Sequence, residues 1–432
     1  MMGSKEILGL STSDATERFH KQLTLIEKQN KTYNAFVTVT DKYANAGYPS
    51  LAVKDNILVE GIRCTSSSRV LENYVAPYSA DALHNVTTHL RVIGKTVHDP
   101  FGAGGSGTTS DFGATKNPFD TTRVPGGSSG GNGVALALEQ CDFAIGSDTF
   151  GSVRAPAAFC GVVGLRPTYG LVSRHGLMDL AMSLDTIAPM ARDVYGVAYL
   201  LERMANKRYE LDKFSARGLK IVVPTELLDG SAKEVRDAVE KAIATLTDAG
   251  AKRVDVRAPN LRYAVPSYYI TMFAEFSSAM QRFDGLKYGP RADGETPEEA
   301  VSKTRGSYLS EELKRRIFLG TYATRKEHAN KWYAAALRGR TLVAKEMQGL
   351  LKKGDFIVTP TMPVLPWKIG ELTTPLQNYL MDVMTGPPSL AGMPALSVPC
   401  GRTVGLQIIG NRFKDAEVLQ LGHAYERLRD SK

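Results

Sequence analysis

Gly126-Gly127-Ser128-Ser129-Gly130-Gly131 is the most informative segment of this chain, and a second glycine-containing turn, Ser147-Asp148-Thr149-Phe150-Gly151-Ser152, follows it. Glycine has no Cβ, so such runs fold into tight turns that other residues avoid. Hydroxyl and backbone N–H groups can then converge on one point, and a concave group of N–H donors attracts an anion.

A glycine-serine run can also be a flexible linker or a phosphate-binding loop. Phosphate-binding loops end in Gly-Lys-Ser or Gly-Lys-Thr, and no such ending closes this run. A linker is not followed by buried elements, whereas residues 133–140 have the pattern of a buried helix and residues 143–146 that of a short core strand. Both turns are therefore predicted to lie inside a folded domain.

The pattern continues through residues 124–192. It runs from Val-Pro-Gly-Gly-Ser-Ser-Gly-Gly through Gly-Ser-Val-Arg-Ala-Pro-Ala-Ala-Phe-Cys-Gly-Val-Val-Gly-Leu-Arg-Pro-Thr-Tyr-Gly to Ser-Leu-Asp-Thr-Ile-Ala-Pro-Met-Ala-Arg. This region resembles the signature region of the amidase signature family. The resemblance implies hydrolysis of carboxamides by a serine nucleophile, a second serine beside a cis peptide bond, and a lysine. By motif these are Ser152, Ser128 and Lys54, the last within Ala-Val-Lys-Asp-Asn.

Each of these residue types has a chemical task. A serine hydroxyl attacks a carbonyl only when a neighbouring base removes its proton, and the motif places no histidine to do so. Burial and neighbouring groups can lower a lysine pKa from ~10.4 towards neutrality, so Lys54 is the expected base. Ser128 would relay the proton between Lys54 and Ser152 and later deliver one to the leaving ammonia. The structural alternative for Lys54 is a solvated charge at a strand end.

The backbone N–H groups around Thr149, Phe150, Gly151 and Ser152 are expected to hold the oxyanion, at about 2.7–4 kcal/mol per donor. The family usually has two glycines before the nucleophile, whereas this chain has Phe150-Gly151. A positive φ at position 150 would strain a phenylalanine by roughly one to a few kcal/mol. With an ordinary φ, the ring would narrow the acyl pocket instead, which we expect because the surrounding motif is intact.

Segments beyond the signature narrow the resemblance to the glutaminase subunits of aminoacyl-tRNA amidotransferases. They are residues 266–270, 282–289, 312–322, 389–401 and 405–410. The match is weaker before about residue 50 and in residues 323–340.

A glutamine substrate presents an α-carboxylate, which suits an arginine, and an α-ammonium, which suits a carboxylate. By motif these partners are Arg316 and Asp382, with Tyr268 beside them. The structural alternatives are a solvated basic helix face, a helix cap and a core residue, respectively. The asparagine usually found before the aspartate is absent here.

Alternating apolar strands and amphipathic helices predict an α/β fold. Candidate strands are residues 91–94, 219–224, 355–360 and 405–410, and candidate helices are residues 232–249 and 311–351. The resemblance implies the amidase-signature fold, a layered mixed central β-sheet flanked by helices. We expect a single domain over residues 1–432, with the signature core at about 50–200.

Composition indicates the setting. Hydrophobic residues make up 43% of the chain, and no apolar run reaches the ~18 residues of a membrane span. The N-terminus resembles neither a secretory signal nor a transit peptide. We therefore expect a cytoplasmic protein, and an organellar location stays an alternative. The four cysteines and seven histidines form no metal motif, so no metal is expected. The net charge of +8 permits contact with tRNA without establishing it.

The resemblance implies a glutaminase that supplies ammonia to a B subunit, which uses ATP and Mg²⁺ to amidate charged tRNA. A small C-type subunit is expected in the complex. This chain is expected to bind no cofactor. Two alternatives stay open: a stand-alone amidase of small amides, and a non-catalytic scaffold in which Phe150 has spoiled the oxyanion turn.

Overall fold

A computed structural model describes residues 2–42, 46–212, 214–372 and 374–431. Its centre is an eleven-stranded sheet. The strands are β1 Phe36–Val39, β2 Ser50–Lys54, β3 Arg91–Thr96, β4 Phe143–Asp148, β5 Val163–Arg166, β6 Thr186–Ala191, β7 Lys220–Pro224, β8 Lys252–Val256, β9 Phe356–Pro360, β10 Ala395–Gly401 and β11 Val404–Ile409. Their order across the sheet is β1-β3-β2-β4-β6-β5-β10-β11-β9-β7-β8.

Helices cover this sheet. They are α1 Ser4–Leu8, α2 Thr12–Tyr33, α3 Gly130–Ala137, α4 Arg154–Phe159, α5 Val194–Ala205, α6 Thr225–Asp229, α7 Lys233–Asp248, α8 Ala264–Ala279, α9 Pro297–Tyr308, α10 Glu311–Thr324, α11 Tyr333–Leu350, α12 Pro375–Leu380, α13 Gly386–Ala391 and α14 Asp415–Asp430. Short 3₁₀ helices span Arg69–Leu71, Asp81–Leu83, Pro100–Gly102, Pro259–Tyr263, Met280–Arg282 and Met381–Val383. Within the described ranges, no helix has the length and apolarity needed to cross a membrane.

The sheet is mixed. Strand β2 pairs in parallel with β3 and β4, whereas β4 pairs antiparallel with β6. Every residue of β2 and β4 is buried, as expected for strands covered on both faces. The predicted layered α/β architecture, with a mixed central sheet flanked by helices, is confirmed.

The individual elements follow the sequence pattern with one exception. Strands occur at all five predicted positions, and α7 matches the helix predicted for residues 232–249. The single helix predicted for residues 311–351 is wrong, because α10 ends at Thr324 and α11 begins at Tyr333. The backbone leaves the helical region at Arg325, where φ is −58° and ψ is 145°.

Candidate active site

Lys54 ends strand β2 and is fully buried. Its Nζ lies 2.7 Å from Ser128 Oγ, 2.9 Å from Ser147 Oγ and 3.3 Å from the Ser147 carbonyl oxygen. Burial lowers the pKa of Lys54 from 10.5 to about 7, although nearby carboxylates oppose this shift. Near neutral pH, a useful fraction of the amine is therefore unprotonated and can accept a proton.

Ser128 occupies the first glycine-rich turn and is fully buried. The peptide bond between Gly127 and Ser128 is cis. The carbonyl of Ser128 accepts a hydrogen bond from the Asp99 amide at 3.3 Å. Lys54 and Ser128, which the motif paired from distant parts of the sequence, are thus direct neighbours in the structure.

Ser152 lies in the second turn and is 8% exposed. Its carbonyl accepts a hydrogen bond from the Ser129 amide at 3.0 Å, which joins the two turns that the sequence singled out. In the described part of the chain, no hydrogen bond links the side chains of Ser128 and Ser152. Ser128 is engaged with the lysine instead.

A buried ion pair holds the second turn. Both carboxylate oxygens of Asp148 accept hydrogen bonds from Arg154, at 2.9 Å from Nη2 and 3.0 Å from Nε. The pKa of Asp148 is held well below its usual range: burial opposes ionisation, but Arg154 and Arg166 overcome it. Arg154 also donates to the Thr385 carbonyl at 2.9 Å and to Gln407 Oε1 at 2.7 Å. These bonds fasten the turn to the start of α13 and to β11.

Phe150 departs from the family pattern but does not strain the turn. Among the described residues, the non-glycine positions with positive φ do not include Phe150, whereas the next residue, Gly151, has φ of +141°. The Phe150 ring is buried and lies flat on the Tyr268 ring, with centroids 3.6 Å apart. The expectation of an ordinary backbone at position 150 is met, so Phe150 imposes no positive-φ strain on the turn.

The amides expected to form the oxyanion hole are not equally free. The Gly151 amide donates to Asp148 Oδ1 at 3.0 Å, so this donor is already engaged. The Thr149 side chain donates to Asp185 Oδ1 at 2.7 Å, which fixes the start of the turn. Burial raises the pKa of the Asp185 carboxyl to about 7, and the Thr149 hydrogen bond opposes this.

The three predicted substrate-binding residues lie on three elements. Tyr268 is in α8, Arg316 in α10 and Asp382 in the short helix Met381–Val383. Arg316 is buried and donates to Glu312 Oε1 at 2.8 Å, and its guanidinium lies 5.8 Å from the Tyr379 ring centroid. Arg316 is therefore not part of a solvated basic helix face.

Asp382 is held by a residue that the sequence did not single out. The hydroxyl of Tyr269 donates to Asp382 Oδ2 at 2.7 Å. Burial raises the pKa of Asp382 to about 7, while the bond from Tyr269 and the charge of Arg316 oppose the rise. Tyr268 contacts the turn of Ser152 through Phe150, so the two adjacent tyrosines contact different parts of the site.

Two more residues were missed. Glu312 Oε1 accepts hydrogen bonds from Arg316 and, at 3.1 Å, from the Tyr379 hydroxyl. The Tyr379 ring also stacks on the Tyr269 ring, with centroids 3.9 Å apart. The four-residue spacing of Glu312 and Arg316 on one helix was the available signal for this pair.

A cavity of about 290 Å³ adjoins these groups. It is lined by Ala103, Gly104, Gly105, Ser106, Thr108, Thr109, Val124, Tyr269, Glu312, Arg315, Arg316, Trp367, Gly370, Leu372, Thr374, Pro375, Asn378 and Tyr379. The loop that forms one wall also borders the other groups: a Cβ on Gly102 would lie 3.7 Å from Ser128 Oγ, and one on Gly105 would lie 4.0 Å from Asp382 Oδ1. The cavity, the buried serine and the carboxylate thus share one loop.

No group of three or more histidine, cysteine, aspartate or glutamate side chains in the described ranges could hold a metal ion. The residues that the structure brings together here supply an amine, hydroxyls, backbone amides and the charged pair at the cavity.

Comparison with known proteins places the chain in a family. The family described as Amidase matches residues 20–419. The A subunit of the glutamyl-tRNA(Gln) amidotransferase from Methanosarcina barkeri is 43% identical over 431 residues, which covers 92% of this chain and 90% of the relative. The corresponding protein from a Synechococcus strain is 40% identical over 459 residues, covering 97% of this chain and 89% of the relative.

Solved structures give the same result. A crystal structure of the glutamyl-tRNA(Gln) amidotransferase A subunit from Thermotoga maritima superposes with a TM-score of 0.81 at 36% identity, covering 99% of this chain and 94% of that chain. A 6-aminohexanoate cyclic dimer hydrolase, 23% identical with a TM-score of 0.80, shares the fold and covers 98% of this chain and 97% of its own. The chain belongs to the amidase family, as its signature region predicted.

Proposed function

We propose that this chain is the glutaminase subunit of an aminoacyl-tRNA amidotransferase. The observation that carries the proposal is the 2.7 Å contact between Lys54 Nζ and Ser128 Oγ, in a fully buried position beside the turn of Ser152. Relatives that cover nearly the whole chain bear the name of such a subunit, which supports this choice within the family.

In the proposed reaction, Ser152 Oγ attacks the side-chain carbonyl carbon of glutamine. The proton of Ser152 passes to Ser128, whose own proton passes to the neutral amine of Lys54. Collapse of the tetrahedral intermediate breaks the C–N bond, and the proton returns along the same path to the departing ammonia. Water then hydrolyses the glutamyl-Ser152 ester and releases glutamate.

The oxyanion of that intermediate needs N–H donors that are not already engaged. The amides around Thr149, Phe150, Gly151 and Ser152 were the expected donors, and the amide of Gly151 is bonded to Asp148. We assign the oxyanion to the amides of Thr149, Phe150 and Ser152, each of which contributes about 2.7–4 kcal/mol to the transition state. Gly151 would instead keep the turn in its shape through the Asp148 bond.

Recognition of free glutamine falls to Arg316, which lines the cavity, and to Asp382, which lies beside the loop of Gly105. Arg316 would bind the α-carboxylate through the guanidinium nitrogens that are not bonded to Glu312, and Asp382 would bind the α-ammonium. Tyr268 would form the side of the acyl pocket, with its ring supported by Phe150. Because Arg316 is buried and Asp382 is partly buried, a substrate that lacks either of the α-substituents would leave one of them unpaired.

Ammonia released here would serve a B subunit that, with ATP and Mg²⁺, converts glutamyl-tRNA(Gln) to the amidated form, and aspartyl-tRNA(Asn) by the same chemistry. A small C-type subunit would complete the complex, and charged tRNA would reach this chain through it. We propose that the protein acts in the cytoplasm. We also propose that residues 1–432 form one domain.

The test measures ammonia release by the chain alone and with its B subunit, ATP, Mg²⁺ and charged tRNA. Glutamine is the substrate, and asparagine and a simple aliphatic amide are the comparisons. Partner-stimulated release from glutamine that is lost in Ser152→Ala and kept in Ser129→Ala supports the proposal, since both changes remove one hydroxyl from the joined turns. Turnover of the aliphatic amide without a partner would favour a stand-alone amidase, and assembly without any turnover would favour a scaffold.

A further inference from the structure

Ser147 contacts the catalytic lysine through two of its atoms, although the proposed mechanism gives it no task. It lies in β4 and is 4% exposed. Its Oγ is 2.9 Å and its carbonyl oxygen 3.3 Å from Lys54 Nζ. Its Oγ also accepts a hydrogen bond from Asn56 Nδ2 at 3.0 Å.

These contacts account for all three hydrogen-bonding positions around Lys54 Nζ. A lysine nitrogen has three positions besides its carbon, and here they face Ser128 Oγ and the two Ser147 oxygens. A neutral amine carries two N–H groups and one lone pair, and the carbonyl oxygen can only accept. When both N–H groups point at Ser147, the lone pair is left facing the Ser128 hydroxyl, as proton transfer requires.

We propose that Ser147 is a positioning residue that aims the unprotonated amine of Lys54 at Ser128, and that Asn56 holds the Ser147 hydroxyl in place. This inference rests on the proposed function, because it gives the lysine the role of base. It concerns the orientation of the base and not the identity of the substrate, so it can be tested without glutamine.

Ser147 also affects how readily Lys54 takes up a proton. The ionisable groups that face Lys54 from the surrounding segments are Asp99, Asp148, Asp185 and His98, and the neighbouring Lys95 is paired with Asp55 at 3.4 Å. None of these groups is altered when the Ser147 hydroxyl is removed. An ammonium uses an oxygen acceptor better than an amine does, so loss of the hydroxyl should lower the pKa of Lys54 further.

The experiment compares Ser147→Ala with Ser147→Thr, which restores the hydroxyl, and with Asn56→Ala. Glutamine turnover is measured against pH in the assembled complex. In parallel, the chain alone is treated with phenylmethanesulfonyl fluoride. In this reaction Ser152 Oγ forms a bond to sulfur, fluoride leaves, and the serine proton passes towards Lys54. Thermal melting reports whether each variant is folded.

We expect Ser147→Ala to lower kcat and the labelling rate about 10- to 100-fold. This is less than the whole rate enhancement of about 10²–10⁴-fold that a positioned general base contributes, because the base is still present but is less well oriented. KM for glutamine should stay within about twofold, and the acid limb should move to lower pH. Ser147→Thr should recover most of the rate, and Asn56→Ala should show a smaller loss of the same kind.

Three results overturn the inference. The first is a Ser147→Ala variant whose rate and pH profile are unchanged. The second is a variant whose rate falls only in proportion to its loss of folded protein, while its pH profile stays the same. If Ser147→Ala does not fold, a folded Asn56→Ala variant with wild-type labelling is the third. Wild type that labels but does not hydrolyse glutamine would reject the proposed function alone, and wild type that does neither would reject both.

Discussion

The ring of Phe150 lies parallel to the ring of Tyr268, with centroids 3.6 Å apart and an angle of 3° between the planes. The first residue belongs to the turn of Ser152 and the second to helix α8. A flat aromatic contact therefore joins the turn of the proposed nucleophile to the helix that carries Tyr269, which lines the cavity.

Phe150→Leu should raise KM for glutamine about 3- to 10-fold, because a branched side chain cannot support the Tyr268 ring in the same plane. A stacked aromatic pair contributes about 0.5–1.5 kcal/mol, which sets the size of this effect. Phe143→Leu is the control, since Phe143 is also a fully buried ring that stacks on a tyrosine, Tyr199, but at the other end of β4. Steady-state kinetics on both variants check this. Equal effects on KM would show that the stack has no specific role.

Gly151→Ala should lower kcat at least about 100-fold, because displacement of a reacting group by even ~1 Å has an effect of that size. With φ of +141°, position 151 disfavours a side chain, and a Cβ there would collide with the Thr385 hydroxyl. Gly170→Ala is the matched control: its φ is +87°, and nothing lies within 4 Å of the new Cβ. If both variants lose the same activity, backbone strain and not the collision is responsible.

The value of kcat should rise with pH to a plateau, with a midpoint near the Lys54 pKa of about 7. The sign follows from the need for an unprotonated amine. Lys54→Met should lose about 10²–10⁴-fold and show no such limb. A pH-rate profile on saturating glutamine measures both, and a Lys54→Met variant that keeps the limb would mean that another group titrates.

The same shift has a consequence for stability. Because burial lowers the Lys54 pKa from 10.5 to about 7, the unfolded chain binds this proton more tightly than the folded chain does between those values. The contribution of Lys54 to the free energy of unfolding should therefore increase as pH rises through that window and be lost as pH falls towards 7. Denaturant unfolding of wild type and Lys54→Met across the window gives the difference.

KM for glutamine should fall as pH rises through about 7, since Asp382 must be ionised to bind an ammonium and its pKa is raised to about 7. Asp382→Asn should show a high KM that no longer changes with pH in this range. Measuring kcat and KM separately distinguishes this effect from the titration of Lys54. A KM that keeps its pH dependence in Asp382→Asn would contradict the assignment.

Arg316→Gln should weaken glutamine binding by about 2–5 kcal/mol, the usual result of removing one partner of a buried charge pair. Arg315→Gln is the control one residue away: Arg315 also lines the cavity and pairs with Glu312, but its side chain is 43% exposed, so solvent screens its charge. The control should change KM little. Comparable losses in both variants would indicate that the helix surface as a whole, and not Arg316, binds the substrate.

The sequence was sufficient for the fold and for the pairing of Lys54 with Ser128. Glycine-rich turns have few structural solutions, and the motif around Ser128 and Ser152 indicates which two turns meet, as the bond from the Ser129 amide to the Ser152 carbonyl shows. The buried partners of the turn could not be predicted, because nothing in the local sequence of Asp148 and Arg154 indicates that both side chains are buried. Only the folded chain shows that Arg154 reaches the Thr385 carbonyl and Gln407, which lie more than two hundred residues away.

The recognition residues illustrate a second limit. Tyr268 and Tyr269 are adjacent on a helix, so their side chains leave the axis about 100° apart and only one can face a given partner. The sequence could not say which tyrosine meets Asp382, and the structure assigns that contact to Tyr269. The break near residue 325 was missed for a similar reason, since Ala, Arg, Lys and Glu there all favour a helix.

The parallel pairing of β2 with β4 sets Val53 opposite Ile145, so the lysine that follows Val53 and the serine near the end of β4 meet across adjacent strands. The separation of the base from the Ser147 oxygens is then governed by the interstrand spacing of about 4.8 Å, one of the least variable lengths in proteins. Insertion or deletion of one residue in β2 would turn Lys54 to the opposite face of the sheet. Such a chain would still contain Lys54, but the contact of its amine with Ser128 would be lost, so the register of β2 matters as much to the proposed base as the identity of the residue.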